Sequence, residues 1–222
     1  MMLSAARTCT LVLEKGDATG VEAFIVIPPM VYGKGRGFGN KISIQFVALV
    51  RVGRGTGSMY KLADDPHVGP FPLCDDEIEL ILCSQDWPMC HLEDLVSLYT
   101  TLIAAIIADK RTPCNTASGY YLAENSLFNW NALSRSIALA LHARKLVADP
   151  TLVEIGEKEL EKMAGALGCP KEFVAISIAG ECRSFRAENA GLLGWKPKYD
   201  LEHLMSVVQE EVDFVLSEDK LS

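Results

Sequence analysis

The sequence predicts an α/β fold, and three observations support this class. Most periodic segments have the apolar spacing of helices. Two short runs, residues 24–27 and 120–123, are β-branched or aromatic with little polar alternation, which is typical of strands buried on both faces of a parallel sheet. A helix, a buried strand, a loop and another helix follow one another, as they do in α/β proteins.

The elements can be predicted in chain order. Residues 5–20 have helical character, and the strand at 24–27 ends at Pro28 and Pro29 because proline cannot continue a ladder. Asn40 is a candidate cap for the next helix, and Asn129 and Asp200 are candidate caps for two later helices. The remaining apolar stripes predict helices over residues 42–50, 92–106, 133–141, 160–167 and 201–215.

Length and composition limit the classes of function. The 222 residues have a mass of 24.3 kDa, which is enough for one large domain or two small ones. The 21 basic and 29 acidic side chains give a net charge of −8, which argues against general nucleic-acid binding. The longest uncharged apolar stretch, residues 102–108, is too short to span a bilayer, so no membrane association is expected.

Cysteine usage and the first residues favour a cytoplasmic protein. The seven cysteines are an odd number and are irregularly spaced, which fits reduced thiols better than a disulfide framework. The first ten residues contain no apolar core of a secretory signal.

Charge is distributed unevenly along the chain. Residues 23–63 contain six lysines and arginines and no acid, whereas residues 62–108 contain acids and no lysine or arginine. Within the second stretch, residues 64–86 carry three prolines and clustered acids, which predicts a long loop or insertion.

Four segments carry a resemblance to a known family. The run FIVIPPMVYGKGRG, starting at Phe24, resembles the last core strand and following loop of extended short-chain dehydrogenases, the NAD-dependent epimerase/dehydratase group. WPMCHLEDLVSLY, GYYLAENSLFNWNALSRSIALAL and LLGWKPKYDLEHLM follow in the order of that family's later motifs. The sequences of these segments are most similar to those of oxidoreductases of fungal genomes, several of which are linked to secondary metabolism.

The resemblance implies an architecture. The chain would form an incomplete Rossmann-type sheet, with the last strands only, and a mostly helical substrate-binding domain. Residues 1–39 would end the nucleotide-binding domain and residues 119–148 would return to it. Residues 40–118, with the insertion at 64–86, and residues 149–222 would bind substrate.

It also implies a chemistry and a site. A complete relative would transfer hydride between NAD or NADP and a small carbonyl or alcohol substrate, and a homodimer is one option for its assembly. The wall of the nicotinamide pocket would be Pro28, Pro29, Met30 and Val31. The substrate-binding residues would be Tyr32, Asn40, Arg51 and His91.

Two motifs of the family do not occur in the 222 residues. One is the Gly-x-x-Gly-x-x-Gly fingerprint, whose backbone amides bind the pyrophosphate in the family. The other is the Tyr-x-x-x-Lys pair, which provides the family's general acid/base. We therefore expect a truncated chain, the C-terminal half to two-thirds of such an enzyme, with a gene-model error as one explanation. A degenerate pseudo-enzyme or a non-catalytic ligand-binding module is the alternative, and an aggregation-prone fragment with exposed strand edges is a third.

Several residues keep two interpretations. His91 is either a general acid/base or a helix-start residue beside Asp94, whose carboxylate would meet free amides of that helix. Arg51 belongs either to an anion site or to a solvated basic face. Tyr32 borders either substrate or a flexible loop. A zinc site formed by His91 with the cysteines at 74, 83 and 90 is disfavoured, because their spacing is irregular.

Overall fold

Helices and strands alternate along the chain. The computed structural model describes residues 2–62, 86–108, 119–174, 178 and 186–218. The helices are α1 (Met2–Thr19), α2 (Ile44–Thr56), α3 (Leu92–Ile107), α4 (Trp130–Ala143), α5 (Glu157–Leu167), α6 (Glu188–Leu192) and α7 (Leu201–Glu218), with a 3₁₀ turn at Lys171–Phe173. The strands are β1 (Ile25–Ile27), β2 (Met30–Tyr32), β3 (Met59–Lys61), β4 (Asp86–His91), β5 (Tyr120–Leu122), β6 (Ser126–Asn129) and β7 (Leu152–Glu154).

Local sequence signals account for most helix ends. The side chain of Asn129 accepts the backbone N–H groups of Asn131 and Ala132, which satisfies two free donors of α4. Gly168 ends α5 in the left-handed conformation with φ +65°, which glycine adopts without steric cost. Asp200 Oδ1 accepts the N–H of His203 at 3.1 Å. These predicted ends are confirmed.

The predicted cap of α2 is wrong. Ser43 occupies the position before the first helical residue, and its side chain makes no cap hydrogen bond. Asn40 Oδ1 instead accepts the N–H of Ile42 at 3.3 Å, which is a local turn ahead of the helix.

The strands form three small groups. β1 pairs with β5 in parallel, and β3 pairs with β7 in parallel. β4 lies between β2, which is parallel to it, and β6, which is antiparallel. The parallel pairing of β1 with β5 joins the two strands predicted from sequence, and the α/β class is confirmed. The predicted insertion at 64–86 lies outside the described residues, except for Asp86.

Burial of β1 is lower than predicted. All three of its side chains are half-buried, whereas Tyr121 of β5 is fully buried. Among the described residues β5 is the strand that pairs with β1. An expectation of full burial on both faces is therefore wrong for β1.

The main core lies between helices α2, α4, α5 and α7. It contains Phe46, Leu133, Ile137 and Val212, all fully buried. A second, smaller cluster joins Cys90, Leu98, Ala123, Ala190 and Trp195 under α3. No helix within the described ranges has the length and apolar character needed to cross a bilayer.

Candidate functional site

A cavity of about 390 Å³ opens where β2 and β4 end against α7. We call it the histidine pocket. Its lining residues are Gly33, Lys34, His91, Tyr199, His203, Val207, Glu210, Glu211 and Phe214. The parallel register pairs Tyr32 with His91, so the last residues of two strands meet at one edge. Crevices beyond the carboxyl ends of parallel strands are common ligand sites in α/β proteins.

Four rings pack together at this edge. The centroid of His91 lies 4.9 Å from that of Tyr32 and 4.0 Å from that of Tyr199. His203 contacts the same group, with its centroid 5.4 Å from that of His91 and 4.6 Å from that of Tyr199. Edge-to-face and tilted contacts of this kind fix ring orientation, so the imidazole nitrogens are held in defined positions.

His91 is a neutral hydrogen-bond donor in this pocket. Its Nδ1 accepts the N–H of Glu93 at 3.2 Å, which caps α3. Burial, followed by the neighbouring His203, lowers the pKa of His91, so the ring is uncharged at neutral pH. Because Nδ1 is an acceptor, the proton resides on Nε2. The helix-start interpretation of His91 is confirmed.

The absence of a side chain at Gly33 leaves room for the Nε2 edge of the His91 ring. Gly33 has φ +97°, and a Cβ built on it would lie 2.5 Å from His91 Nε2. A residue with a side chain cannot occupy this position without displacing the imidazole, and its backbone would also be strained.

Tyr32 and His203 are within hydrogen-bond distance of each other. The hydroxyl of Tyr32 lies 3.0 Å from His203 Nδ1 and 3.4 Å from the carbonyl oxygen of Tyr199. Burial, assisted by the charge of Asp94, raises the pKa of Tyr32, so the phenol stays protonated. The side chain of Tyr32 is fully buried and supports the pocket from behind.

Glu211 is the most unusual group of the site. It is 6% exposed, and its Oε1 accepts the N–H of Gly33 at 3.0 Å. Its Oε2 is buried and has no hydrogen-bond partner among the described residues. Burial raises the pKa of this carboxyl above its ordinary value. A buried carboxylate with one unpartnered oxygen is costly, and such groups cluster at functional sites.

The rim of the pocket carries both signs of charge. Lys34 Nζ lies 4.5 Å from the centroid of the Phe214 ring, which is a cation–π contact. Glu210 lines the same rim, and Val207 and Phe214 supply apolar surface. This combination suits a small polar ligand with an apolar portion.

Asp94 holds the backbone at Tyr199, a residue that lines the histidine pocket. It is 2% exposed, and its carboxylate accepts the N–H of Lys198 at 2.9 Å and that of Tyr199 at 3.0 Å. This corrects the sequence-based expectation that Asp94 meets the free amides of its own helix. Trp195 Nε1 donates to the Asp94 carbonyl oxygen at 3.1 Å, and the ring packs in the second, smaller cluster.

The four predicted substrate-binding residues do not form one site. Tyr32 and His91 are adjacent at the histidine pocket. Asn40 and Arg51 line a different cavity of about 580 Å³ beside α2. The prediction for these residues therefore divides between two cavities.

The predicted nicotinamide wall lies just before the histidine pocket. Pro28 is exposed, Pro29 and Val31 are half-buried, and Met30 is fully buried. Three of the four residues thus have exposed surface, while Met30 packs in the main core. Their assignment to the wall of a nicotinamide pocket stays a prediction. The sequence contains no Gly-x-x-Gly-x-x-Gly motif that would bind the pyrophosphate of the cofactor.

The described residues contain no group of three or more His, Cys, Asp or Glu side chains that could hold a metal ion. Burial raises the pKa of the Cys90 thiol to about 12, so it is a protonated packing residue. The cysteines at 74 and 83 lie outside the described residues.

Sequence reasoning missed Tyr199, His203 and Glu211. His203, Val207, Glu210, Glu211 and Phe214 recur at the i, i+4, i+7, i+8, i+11 spacing of one helix face. That spacing is the signal available in the sequence, and it places Glu210 and Glu211 on the same helix face as His203.

Comparisons with known proteins bear on the fold. No protein-family model matches the sequence, and no curated protein matches it. A crystal structure of L-threonine dehydrogenase from Phytophthora infestans is similar over 95% of this chain and 55% of its own, with a TM-score of 0.53 and 14% identity. A partial-consensus L-threonine 3-dehydrogenase has a TM-score of 0.36 and 16% identity, and covers 93% of this chain and 51% of its own.

A GalE-like L-threonine dehydrogenase from Cupriavidus necator has a TM-score of 0.40 and 17% identity, and covers 91% of this chain and 50% of its own. The chain spans about half the length of these structures. At 14% identity, the first similarity shows the fold alone. The chain thus has an α/β fold similar to that of part of the Phytophthora infestans structure.

Proposed function

We propose that this chain is the substrate-binding part of a nicotinamide-dependent oxidoreductase or epimerase that acts on a small carbonyl or alcohol. One observation carries the proposal: the histidine pocket begins where the strand after Pro28 and Pro29 ends. The fold similarity to a dehydrogenase supports it, and the order of the four sequence motifs supports a C-terminal position in a longer enzyme. A role in fungal secondary metabolism stays a prediction that rests on the resemblance of the four sequence segments.

The pocket residues have roles that suit such a substrate. His91 Nε2–H can donate to a carbonyl or hydroxyl oxygen, and the contact between Tyr32 and His203 orients the imidazole of His203 beside it. When bound, NAD or NADP would supply the hydride acceptor or donor, with Pro28, Pro29 and Val31 against its ring.

Calorimetric titration tests ligand binding in the pocket. The panel contains L-threonine, because the similar dehydrogenase is named for it, together with lactate and 3-hydroxybutanone. We expect at least one member to bind. His91→Asn keeps an acceptor for the cap of α3 but removes the Nε2 donor, so it should weaken binding by about tenfold. His142→Asn, an exposed histidine outside the pocket, is the matched control.

The absent fingerprint predicts weak dinucleotide binding by the 222-residue chain. NADH and NADPH fluorescence titrations measure this directly. Binding in the millimolar range or weaker is expected, because the amides that would meet the pyrophosphate are not encoded in these residues. Micromolar binding would overturn this part of the proposal.

The second candidate function is a non-catalytic ligand-binding module. The absence of both the fingerprint and the Tyr-x-x-x-Lys pair from the sequence favours it. Turnover separates the two: NADPH-dependent reduction of a small ketone supports the enzyme, whereas ligand binding without turnover supports the module.

A further inference from the structure

The wall of the histidine pocket contains a buried acid that has little compensation. Glu211 is 6% exposed and lines the cavity. Its Oε1 accepts the N–H of Gly33 at 3.0 Å, whereas its Oε2 has no hydrogen-bond partner among the described residues. Buried carboxylates in proteins are normally paired with a cation or satisfied by several donors. A single neutral N–H therefore leaves most of the charge of an ionised Glu211 without a partner.

The positive charge of Lys34 does not compensate Glu211. Burial and then the neighbouring Glu210 raise the pKa of Glu211, and among the described groups that act on it only the N–H of Gly33 lowers that pKa. Lys34 lies on the rim of the pocket, where its Nζ is 4.5 Å from the centroid of the Phe214 ring. This ammonium group is thus engaged with an aromatic face, and the counter-charge of Glu211 has to come from elsewhere.

The lining of the pocket has an excess of one negative charge when Glu211 is ionised and the histidines are neutral. Lys34 is then opposed by both Glu210 and Glu211. The amino ends of α3 and α7 meet the pocket, but His91 and Asp200 already accept backbone N–H groups there, and acidic residues lie in both first turns. These helix ends therefore do not supply the missing positive charge.

We infer that the ligand of the histidine pocket is a small amino alcohol or amino ketone, with its protonated amine beside the Glu211 carboxylate and its oxygen at Nε2 of His91. The amine would supply the counter-charge that the wall lacks, and its single positive charge matches the excess of one negative charge. The rings of Tyr199 and Phe214 line the same cavity, and aromatic faces attract ammonium groups. This inference rests on the proposed function, because it specifies the substrate class of that pocket.

Two ligands of nearly equal shape isolate the contribution of the amine. 1-Amino-2-propanol and 1,2-propanediol differ in one group, an ammonium in place of a hydroxyl, and the amine is protonated at about pH 8. In calorimetric titrations of the full chain, the amino alcohol should bind about tenfold more tightly than the diol. Equal affinity for the two ligands overturns the inference and leaves the proposed function standing. If neither binds, the inference fails, and the proposed function fails with it only if the panel of L-threonine, lactate and 3-hydroxybutanone does not bind either.

Variants of the pocket assign the preference to one carboxylate. Glu211→Gln keeps an acceptor for the N–H of Gly33 and removes the charge, so it should weaken 1-amino-2-propanol about tenfold and leave 1,2-propanediol unchanged. Glu210→Gln is the matched control, because this exposed acid lines the same rim and its loss should change either affinity by less than about threefold.

The variant of the proposed oxygen site should behave differently. His91→Asn removes the donor to the oxygen that both ligands share, so it should weaken the two ligands equally. An unchanged preference for the amine in Glu211→Gln, or an equal loss of that preference in Glu210→Gln, contradicts the role of Glu211. Melting temperatures establish that each variant is folded.

Discussion

Replacing Glu211 by glutamine should stabilise the protein at neutral and alkaline pH. The carboxyl is 6% exposed, and its Oε2 lacks a hydrogen-bond partner among the described residues. Glutamine keeps an acceptor for the N–H of Gly33 and removes the charge. The buried charge is the group that the fold tolerates least.

An unsatisfied buried neutral group costs about 1–3 kcal/mol, and a charged one costs more. Glutamine still leaves its amide nitrogen unpaired, so the gain is only the difference between the two costs, which we take as about 1–2 kcal/mol. For a chain of 150–250 residues, 1 kcal/mol shifts the melting temperature by about 2–4 °C. Glu211→Gln should therefore raise it by about 2–8 °C at pH 8.

The gain should depend on pH in a defined direction. Burial raises the folded-state pKa of Glu211. The stability that this group contributes to the fold is therefore fully present below the ordinary carboxyl pKa, and it is lost as pH rises through the folded-state pKa. Near pH 5 the wild-type carboxyl is more protonated, so the rise in melting temperature that Glu211→Gln gives should be smaller.

Differential scanning calorimetry at pH 5 and pH 8 measures both effects. Glu210→Gln is the matched control: Glu210 is exposed and its replacement should change stability by less than about 0.5 kcal/mol. A lower melting temperature of Glu211→Gln at pH 8, or an equal gain at both pH values, would refute the reasoning.

Three further variants test other parts of the structure. Asp94→Asn should destabilise the fold by about 2–3 kcal/mol in urea unfolding, because the carboxylate accepts the N–H groups of Lys198 and Tyr199; a loss under 0.5 kcal/mol would contradict that role. Gly33→Ala should cost about 1–3 kcal/mol in the same assay, since φ is +97° and the new Cβ meets an imidazole; a neutral result would contradict the close approach. Ile103→Lys, on the exposed apolar face of α3, should reduce any concentration-dependent self-association seen by analytical ultracentrifugation; unchanged association would exclude this face.

Long periodic segments made the helices predictable. The stripe at 92–106 became α3 over Leu92–Ile107, and the cap at Asn129 and the stop at Gly168 lie where local hydrogen bonding requires them. Such features depend on neighbours within one turn, which the sequence displays directly.

Strands β2 and β4 were not predictable in the same way. β2 has three residues, and β4 contains Pro88 and passes into α3 without a turn. Neither shows the alternation that identifies a strand, and their pairing joins residues far apart in the chain.

Half of the candidate site followed from sequence. Tyr32 and His91 were predicted separately, and the parallel register of β2 with β4 brings them together. His203 and Glu211 join them because α7 packs across the same edge, more than 100 residues later in the chain. That packing is a tertiary outcome that local patterns do not encode.

The central claim is that the histidine pocket binds a small alcohol or carbonyl compound. The most direct measurement is NMR of the histidine ring signals while L-threonine, lactate or 3-hydroxybutanone is added to the full chain. The account predicts that the signals of His91 and His203 move together and saturate with at least one ligand, while that of His142, outside the pocket, stays fixed. Ring signals that do not move with any of the three, or that move at His142 alone, would contradict it.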